Sequence, residues 1–540
     1  MNIHDYIVVG SGCSGAMAAQ TLVEAGKQVA MIDVGATNPE YADLVPEKDF
    51  ITLRTTDPEQ YRYFLGSNIE GVMWGDIGKG AQVTPARGHI AQFTTTHIPL
   101  ESKTFFPIES LGYGGLGIGW GVQCWEYSEA DMRAAGLDAK KMQVAYETVS
   151  KRIGVSGTKD DAAVYTLGTL KTYQPSPEMD RNHQAIYRKY HDHKNRFIDQ
   201  GLFLGRTPLA LITEDKDGRK AYAYHDMDFY TDKHRSAWRP WITVDMLRSQ
   251  KNFTYIGNQL VLRFDEKPDH VAITCQDVRT NKTTVIHCRQ LVLGSGALGT
   301  ARIVLRSLGK PDHRLPVLCN PYTYIPCLQP SMTGKAVEPR KMGFAQLSLF
   351  LDENKDNYDL SIASLYSYQS LMMFRIIKQL PFLGLADARV LMRYLMTGLV
   401  IMGVHHPDRP TDKKYLELVP DKRSATGDSL RAQYELSAEE EAEFLRRENK
   451  MIKAMRRTGL YALKRINPGY GSSVHYAGTL PFNDEEKPFT LARDGRLHGT
   501  RRVFVADSSG FAYLPSRGLT FSLLANAHNV AEEVLKYGQN

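Results

Sequence analysis

Short apolar runs separated by a glycine turn predict alternating strands and helices at the start of the chain. The run "YIVV" at residues 6–9 is β-branched and aromatic, which indicates a buried strand. The segment "AMAAQTLVEAG" at 16–26 predicts a helix that turns small residues toward a sheet, and "QVAMID" at 28–33 predicts a second strand. The pattern therefore indicates a strand–turn–helix–strand unit within about 30 residues.

Similar patterns return later in the chain. The segments at 252–264 and 271–293 read as strands that rejoin the first unit, and "GSGALGTARIVLRSLG" adds a turn and a helix that place Gly294 and Gly296 beside the first glycine turn. A final helix starts near Gly518. The chain therefore leaves its first domain and returns to it, which predicts two domains interleaved in sequence.

The middle of the chain has a different pattern. Segments at 343–352, 358–367 and 395–406 predict strands of a second sheet, the last of which runs into His405 and His406. Between them lies a segment rich in Met, Leu, Phe and Tyr, at 365–396. Helices that cover the sheet are favoured here, and a lid over the substrate or a membrane-surface patch are the alternatives.

Composition excludes several classes of protein. The 540 residues are 42% apolar and 23% charged with a net charge of +6, which is ordinary for a globular chain of roughly two to four structural units. Basic segments such as 445–459 read as solvated helix faces, so no nucleic-acid partner is expected. The six cysteines lack metal spacing and are expected to be buried reduced thiols, with no metal.

Location is predicted from the same features. No signal-peptide pattern opens the chain, and no run reaches about 18 apolar residues. We therefore expect a cytoplasmic protein, with membrane contact not favoured.

The first glycine turn has the spacing of a dinucleotide site. Gly10 permits the tight turn, Gly12 lets a pyrophosphate approach the backbone, and Gly15 lets the helix pack closely on the strand. The helix N-terminus favours a diphosphate. Asp33, about 20 residues further on, accepts hydrogen bonds from ribose hydroxyls. This carboxylate disfavours a 2′-phosphate, so FAD or NAD is preferred to NADP.

A second glycine cluster, "SLGYGGLGIGWGVQCW" at 110–125, surrounds Trp120 and Trp125. So many glycines beside tryptophans suggest backbone packed against a flat ligand, and a flexible loop is the alternative.

Together these blocks resemble the glucose–methanol–choline family of flavin oxidoreductases. The resemblance rests on "VVGSGCSG", "GYGGLGIGWG", "LVLGSGALGTARIVLRSLG", "SSVHYAGT" and "DGRLHGTRRVFVADSSGF", which stand in family order and frame nearly the whole chain. It implies an α/β fold. A Rossmann-like FAD domain at 1–140, 250–315 and 465–540 is interleaved with a substrate domain at 141–249 and 316–464, which is built on a broad, mainly antiparallel sheet covered by helices.

The resemblance also implies which residues hold the cofactor. The predicted FAD-binding residues are Gly10, Gly12, Ser14, Gly15, Asp33, Gly114, Gly115, Gly117, Val261, Gly296, Asp507, Thr520 and Phe521. Some relatives bond the flavin covalently through a histidine before the tryptophan of the glycine loop. This chain has Gly119 there, so FAD is expected to be non-covalent.

By resemblance, the chain would oxidise a CH–OH group of a sugar, a polyol or a natural-product alcohol. His475 in "SSVHYAGT" matches the family's catalytic histidine, which accepts the hydroxyl proton while hydride passes to flavin N5. Ser473 and Tyr476 are expected to orient it. The electron acceptor, O2 or another carrier, and the oligomeric state stay open.

One position departs from the family pattern. The family's second catalytic group, His or Asn, precedes a proline at the start of the last helix, where this chain has Gly518 and Leu519. The candidates for the missing hydrogen bond are Arg517, Ser516 and Asn526. The departure keeps two alternatives open: altered chemistry on the same fold, such as elimination, isomerisation or desaturation, and a non-catalytic flavoprotein partner.

Overall fold

A computed structural model of the chain describes residues 3–41, 56–64, 84–224, 231–309, 313–336, 342–367 and 384–537, with single positions at 44, 46, 48, 52, 53, 66 and 338. Half of the segment 365–396, for which covering helices, a lid or a membrane patch are predicted, is formed by residues 368–383, which lie outside the described residues.

The strands and helices follow the predicted alternation. The strands are β1 Ile3–Val9, β2 Val29–Ile32, β3 Leu100–Glu101, β4 Ser156–Gly157, β5 Gln174–Pro175, β6 Leu202–Arg206, β7 Phe253–Ile256, β8 Gln259–Glu266, β9 Val271–Asp277, β10 Thr283–Leu293, β11 Arg314–Pro316, β12 Leu318–Cys319, β13 Tyr322–Leu328, β14 Ala345–Leu351, β15 Ser361–Ser367, β16 Leu399–His405, β17 Lys414–Pro420, β18 Asp428–Tyr434, β19 Tyr461–Ala462, β20 Tyr476–Ala477 and β21 Val503–Val505. The α-helices are α1 Cys13–Glu24, α2 Tyr61–Phe64, α3 Thr94–His97, α4 Glu129–Ala135, α5 Ala139–Ile153, α6 Ala163–Thr166, α7 Arg181–Asp192, α8 Lys194–Ile198, α9 Pro240–Arg248, α10 Ala297–Leu308, α11 Leu385–Leu395, α12 Ala438–Met455 and α13 Leu519–Tyr537.

The first sheet holds the nucleotide-binding pattern. Its strand order is β7-β2-β1-β10-β9-β8, and β21 pairs with β10. Strands β7, β2, β1, β10 and β21 are parallel, whereas β10, β9 and β8 form an antiparallel meander. The carboxyl ends of β1 and β10 therefore lie side by side, where parallel sheets of this kind bind their ligands.

Close approach of backbones holds this edge together. A Cβ on Gly15 would lie 1.9 Å from the Gly10 carbonyl oxygen, so only glycine lets α1 pack this near to β1. Gly10 itself has a φ of +93° and faces the Gly294 turn, where an added Cβ would lie 3.0 Å from the Gly294 oxygen. The two glycine turns are thus packed against each other.

The second sheet is antiparallel throughout, with the order β19-β13-β16-β15-β14-β6. Strand alternation gives it two distinct faces. One face carries apolar residues such as Val400, Met402 and Val404, which form a core with α7 and α12. The opposite face carries tyrosines of β13 and β15 and the end of β16, and these residues line a cavity that also reaches the first sheet.

A smaller sheet, in the order β11-β17-β18-β3, and a two-stranded pair, β12 with β20, link these parts. The predicted fold class, a Rossmann-like domain interleaved with a mainly antiparallel sheet, is confirmed. The strands of the first sheet fall in the predicted FAD-domain ranges and those of the second sheet in the predicted substrate-domain ranges. The domain boundaries themselves stay a prediction, and α5, placed in the substrate domain, packs on α13 in the first core.

Among the described residues, no helix combines the length and the apolar character that crossing a bilayer requires.

Gly15→Ala tests the contact between β1 and α1. Because its Cβ would collide with the Gly10 carbonyl, we expect a loss of stability of about 1–3 kcal/mol or more, a lower thermal midpoint and less bound flavin. Circular dichroism melting and the flavin released per protein measure both effects. Gly384→Ala is the control, because among the described residues its Cβ would meet no atom nearer than 3.6 Å. Equal melting of the two variants would contradict the expectation.

Candidate active site

A cavity of about 360 Å³ runs from the carboxyl edge of the first sheet to the tyrosine-bearing face of the second. It brings together most of the residues that were predicted to hold FAD, with the predicted base. The predicted residues that line it are Gly10, Gly12, Ser14, Asp33, Gly115, Gly117, Val261, Gly296, Thr520 and His475. The cavity therefore has a glycine-rich nucleotide end and a histidine end.

Asp33 is the acidic group of the nucleotide end. Its Oδ2 accepts hydrogen bonds from the Ser11 hydroxyl and from the Tyr255 hydroxyl, the latter at 2.9 Å. Burial raises the pKa of Asp33 to about 6, although both hydrogen bonds act in the opposite direction. Ser11 also accepts from the Gly114 amide at 2.9 Å, so it ties the two glycine loops to this carboxyl group.

The backbone of this end leaves room for a cofactor. A Cβ on Gly296, which has a φ of +77°, would meet no atom of the described chain within 4 Å, and a Cβ on Gly12 would meet only Gly114 and Gly115 backbone at 3.9 Å. These glycines form a cradle that side chains would fill. With the amides at the start of α1 they suit a diphosphate, so the residues present fit FAD.

Four predicted cofactor residues lie behind the lining rather than in it. Gly15 packs on Gly10, and Gly114 contacts Ser11. Asp507 is fully buried and accepts from Thr300 at 2.5 Å and from Ser509, whereas Phe521 packs on Tyr146. These four residues support the lining from behind, because their polar atoms or ring faces already contact other groups of the chain.

The three candidates for the second hydrogen bond do not line the cavity. The Arg517 guanidinium is buried and pairs with Asp131 and Asn357, which directs it away from the lining. Asn526 is buried within α13, also outside the lining, and its Nδ2 has no partner among the described residues. Ser516, a third candidate, donates to the Leu360 carbonyl at 2.6 Å. None of the three is placed to meet a substrate in the cavity.

His475 lines the cavity, and a hydrogen bond fixes its orientation. Its Nδ1 lies 3.0 Å from Asn320 Oδ1. The Asn320 Nδ2 donates to the carbonyls of His406 and Pro515, at 2.8 and 3.0 Å, which leaves Oδ1 as the acceptor that faces His475. His475 Nδ1 must then carry the proton, and Nε2 keeps the lone pair. Burial lowers the pKa of His475 to about 4, so the imidazole is neutral near pH 7.

Strand pairing explains this contact. Strands β12 and β20 pair antiparallel, with Cys319 opposite Tyr476, so the next residues outward are Asn320 and His475. Val474 has a φ of +60°, which is strained for a β-branched residue and marks the turn that presents His475. Ser473 and Tyr476, the two residues expected to orient His475, make other contacts. Ser473 accepts weakly from the His475 amide at 3.4 Å, and the Tyr476 hydroxyl bonds Gly471 and Ile108.

The second sheet forms the far wall. Tyr322, Tyr324 and Tyr366 line it with Ser364, whose hydroxyl donates to Gln123 Oε1 at 2.9 Å. The imidazole of His405 stands at the end of β16, and its centroid lies 5.3 Å from that of His475. This wall combines aromatic faces with hydroxyl groups, which suits a ring that carries hydroxyls.

Sequence reasoning missed Asn320, Ser11, Tyr255 and the tyrosines of this wall. Asn320 stands before a proline in the link between β12 and β13, and nothing near it in sequence indicates His475 as its partner. The sheet face on which His405 lies could have been inferred from the sequence, since alternation along β16 places it opposite the apolar Val400, Met402 and Val404.

Comparison with known proteins gives similarity to oxidases. No model of a protein family matches the chain. Paromamine 6'-oxidase of Streptomyces fradiae is 24% identical over 326 residues, 57% of this chain and 50% of that protein. The 6'''-hydroxyparomomycin C oxidase of Streptomyces lividus is 25% identical over 317 residues, 56% of this chain and 50% of that protein. The chain spans about half the length of the curated relatives it matches.

Solved structures share the fold over its whole length. Pyridoxine 4-oxidase from Mesorbium loti aligns with a TM-score of 0.59 at 13% identity, over 99% of both chains. An FAD-dependent oxidoreductase from Chaetomium thermophilum, in complex with a butanamide fragment, aligns with a TM-score of 0.58 at 13% identity, also over 99% of both. The chain therefore shares the fold of these two enzymes over nearly its full length.

The raised pKa of Asp33 predicts a pH-dependent affinity for FAD. A ribose hydroxyl would donate to the carboxylate, so binding favours the deprotonated form. Affinity should hold above pH 6 and fall below it, by at most about tenfold per pH unit. Fluorescence titration of apoprotein with FAD between pH 5 and 8 measures this. Asp33→Asn should bind more weakly without that slope, and a parallel slope in the variant would contradict the assignment.

The Arg517–Asp131 pair predicts a structural role for Arg517. Asp131→Ala removes the carboxylate that pairs with the Arg517 guanidinium, which is only 1% exposed. The unpaired buried charge should lower the free energy of unfolding by about 3–5 kcal/mol. Glu533→Ala breaks the ion pair with the half-exposed Lys141 and should cost at most about 1 kcal/mol. Thermal unfolding of the two variants compares them directly. Similar midpoints would show that the buried pair is not needed for the fold.

Proposed function

We propose that this chain, a member of the glucose–methanol–choline family of flavin oxidoreductases, oxidises a CH–OH group of a small alcohol with His475 as the base. The observation that carries the proposal is the Asn320 contact, which leaves His475 neutral with a free Nε2 lone pair at the cavity. An imidazole in that state accepts a hydroxyl proton.

The residues of the chain divide the reaction between the two ends of the cavity. The glycine cradle and Asp33 would hold FAD, which supplies an acceptor for hydride when bound. His475 Nε2 would take the proton from the hydroxyl oxygen of the substrate, and the carbon that bears this oxygen would give up a hydride, so the C–O bond becomes the C=O bond of a carbonyl compound. The Asn320 Oδ1 contact stabilises the imidazolium that forms, because Nδ1–H donates to it throughout. Dioxygen or another electron carrier would then reoxidise the cofactor.

The substrate is proposed to be a hydroxylated ring compound, such as a sugar or a natural-product alcohol. The relatives are named as oxidases of paromamine at position 6' and of hydroxyparomomycin C, and a structural neighbour is named pyridoxine 4-oxidase. In this chain the tyrosine faces and the Ser364–Gln123 pair provide stacking surface and hydrogen bonds for such a ring. We further propose that FAD is non-covalent, since Gly119 offers no side chain for attachment, and that the enzyme works in the cytoplasm.

Reduction of the flavin by an alcohol tests the proposed function. Purified protein mixed anaerobically with a panel of sugars, polyols and aromatic alcohols should lose its flavin absorbance with at least one of them. A dye acceptor compared with O2 then identifies the preferred oxidant. If every alcohol fails while substrates of elimination, isomerisation or desaturation are turned over, the altered-chemistry alternative replaces this proposal.

His475→Ala should slow flavin reduction about 10²–10⁴-fold, because the proton acceptor is lost. The control is His191→Ala, which replaces a partly exposed histidine on α7; its flavin should be reduced at the wild-type rate. With FAD saturating, the wild-type rate should be flat above pH 6 and fall toward half near pH 4, since the neutral imidazole is the active form. Stopped-flow absorbance measures all three rates. A wild-type rate in His475→Ala would remove the base from the mechanism.

A further inference from the structure

The start of the last helix carries no side chain at the position of the expected second catalytic group. Gly518 lines the cavity, and a Cβ on it would lie 3.2 Å from ring atoms of Trp125, which is 1% exposed. A side chain at position 518 would thus be crowded by this buried tryptophan. A second hydrogen-bonding group would therefore come from another wall of the cavity.

His405 reaches the same place from the opposite wall. Its imidazole stacks on His475 with centroids 5.3 Å apart and planes 27° apart. On its other side it contacts Tyr322, with centroids 4.3 Å apart. The ring is thus held between a tyrosine and the proposed base, and the residue lines the cavity.

Strand register explains this arrangement. Tyr322 of β13 and Ile362 of β15 are the direct partners of His405 across the second sheet. Two residues earlier, a Cβ on Gly403 would lie 2.5 Å from the Tyr322 hydroxyl oxygen, so glycine makes space for the tyrosine ring. The sheet therefore orients His405 without help from a loop.

The two nitrogens of His405 have different surroundings. Nδ1 is buried and has no hydrogen-bond partner among the described residues, which leaves Nε2 as the nitrogen that can face the cavity. Burial and the adjacent rings of His475 and His406 hold the pKa of His405 well below its ordinary value. The neutral ring has one N–H to donate, and at Nε2 this proton can find an acceptor in the cavity.

We propose that His405 is the second catalytic residue of this site, whose Nε2–H donates to the substrate oxygen while His475 accepts the hydroxyl proton from that oxygen. The inference rests on the proposed function. As the proton leaves, negative charge grows on the oxygen, and a donor fixed by the sheet stabilises that charge. His405 must stay neutral in this step, since a second imidazolium would repel the one formed on His475.

Two substitutions separate the hydrogen bond from simple packing. His405→Leu removes the donor and should lower the limiting rate of flavin reduction about 10²–10³-fold, with little change in the apparent dissociation constant of the alcohol. His405→Gln keeps an amide N–H at similar reach and should recover most of that loss. His313→Leu, in a histidine outside the cavity lining, is the matched control.

The outcomes distinguish this inference from the proposed function. If wild type is reduced by an alcohol but His405→Leu is equally fast, His405 is not catalytic and the proposed function stands. Equal slowing of His405→Leu and His405→Gln would assign the residue to packing. If no alcohol reduces wild type, both proposals fall.

Nitrogen-15 NMR of histidine-labelled protein tests the assignment without measuring activity. At pH 7, His405 should show the Nε2–H tautomer and His475 the Nδ1–H tautomer, identified by the signals missing in His405→Gln and His475→Ala. A His405 protonated at Nδ1, or at both nitrogens, would overturn the proposal.

Discussion

The antiparallel pairing of β12 with β20 is the contact on which the catalytic end depends. Each strand is two residues long, yet together they bring the segment before the second sheet beside the segment that returns to the first. Asn320 and His475 meet just beyond this pair. Because Asn320 is itself held by two backbone carbonyls, its amide cannot turn, and the tautomer of His475 follows from the backbone. A flexible side chain thus acquires one defined protonation pattern.

The two ends of the cavity differ in the charge and polarity of the groups that line them. At the nucleotide end, the proposed cofactor cradle combines backbone amides and glycines with one buried carboxyl group, that of Asp33, whose pKa is raised. At the other end, two stacked histidines have lowered pKa values, so the site holds neutral donors and acceptors rather than charges. The buried Arg517 is neutralised by Asp131 behind the lining. The proposed chemistry therefore begins with neutral imidazoles, as proton acceptance by one and donation by the other require.

The wall that faces the substrate shows how one strand serves two purposes. In β16, Val400, Met402 and Val404 pack into the core under α7 and α12, whereas the alternate residues lead to His405 at the cavity. Stability and chemistry are thus separated by the two faces of a single sheet. Local strain at Val474, and a His405 Nδ1 without a hydrogen-bond partner among the described residues, are tolerated because this rigid framework fixes their surroundings.

The sequence alone determined the parts of the protein in which neighbouring residues act together. The glycine turn at Gly10, the strand periodicity and the block around His475 are contiguous, so backbone geometry and short-range spacing suffice to read them. The tertiary structure decided which distant side chains meet. Arg517 and Asn526, chosen for their closeness in sequence to Gly518, lie outside the lining, whereas Asn320 and His405 reach His475 through strand pairing. Contacts between residues 70 to 155 positions apart depend on sheet register and on the space left by Trp125, and no local pattern records either.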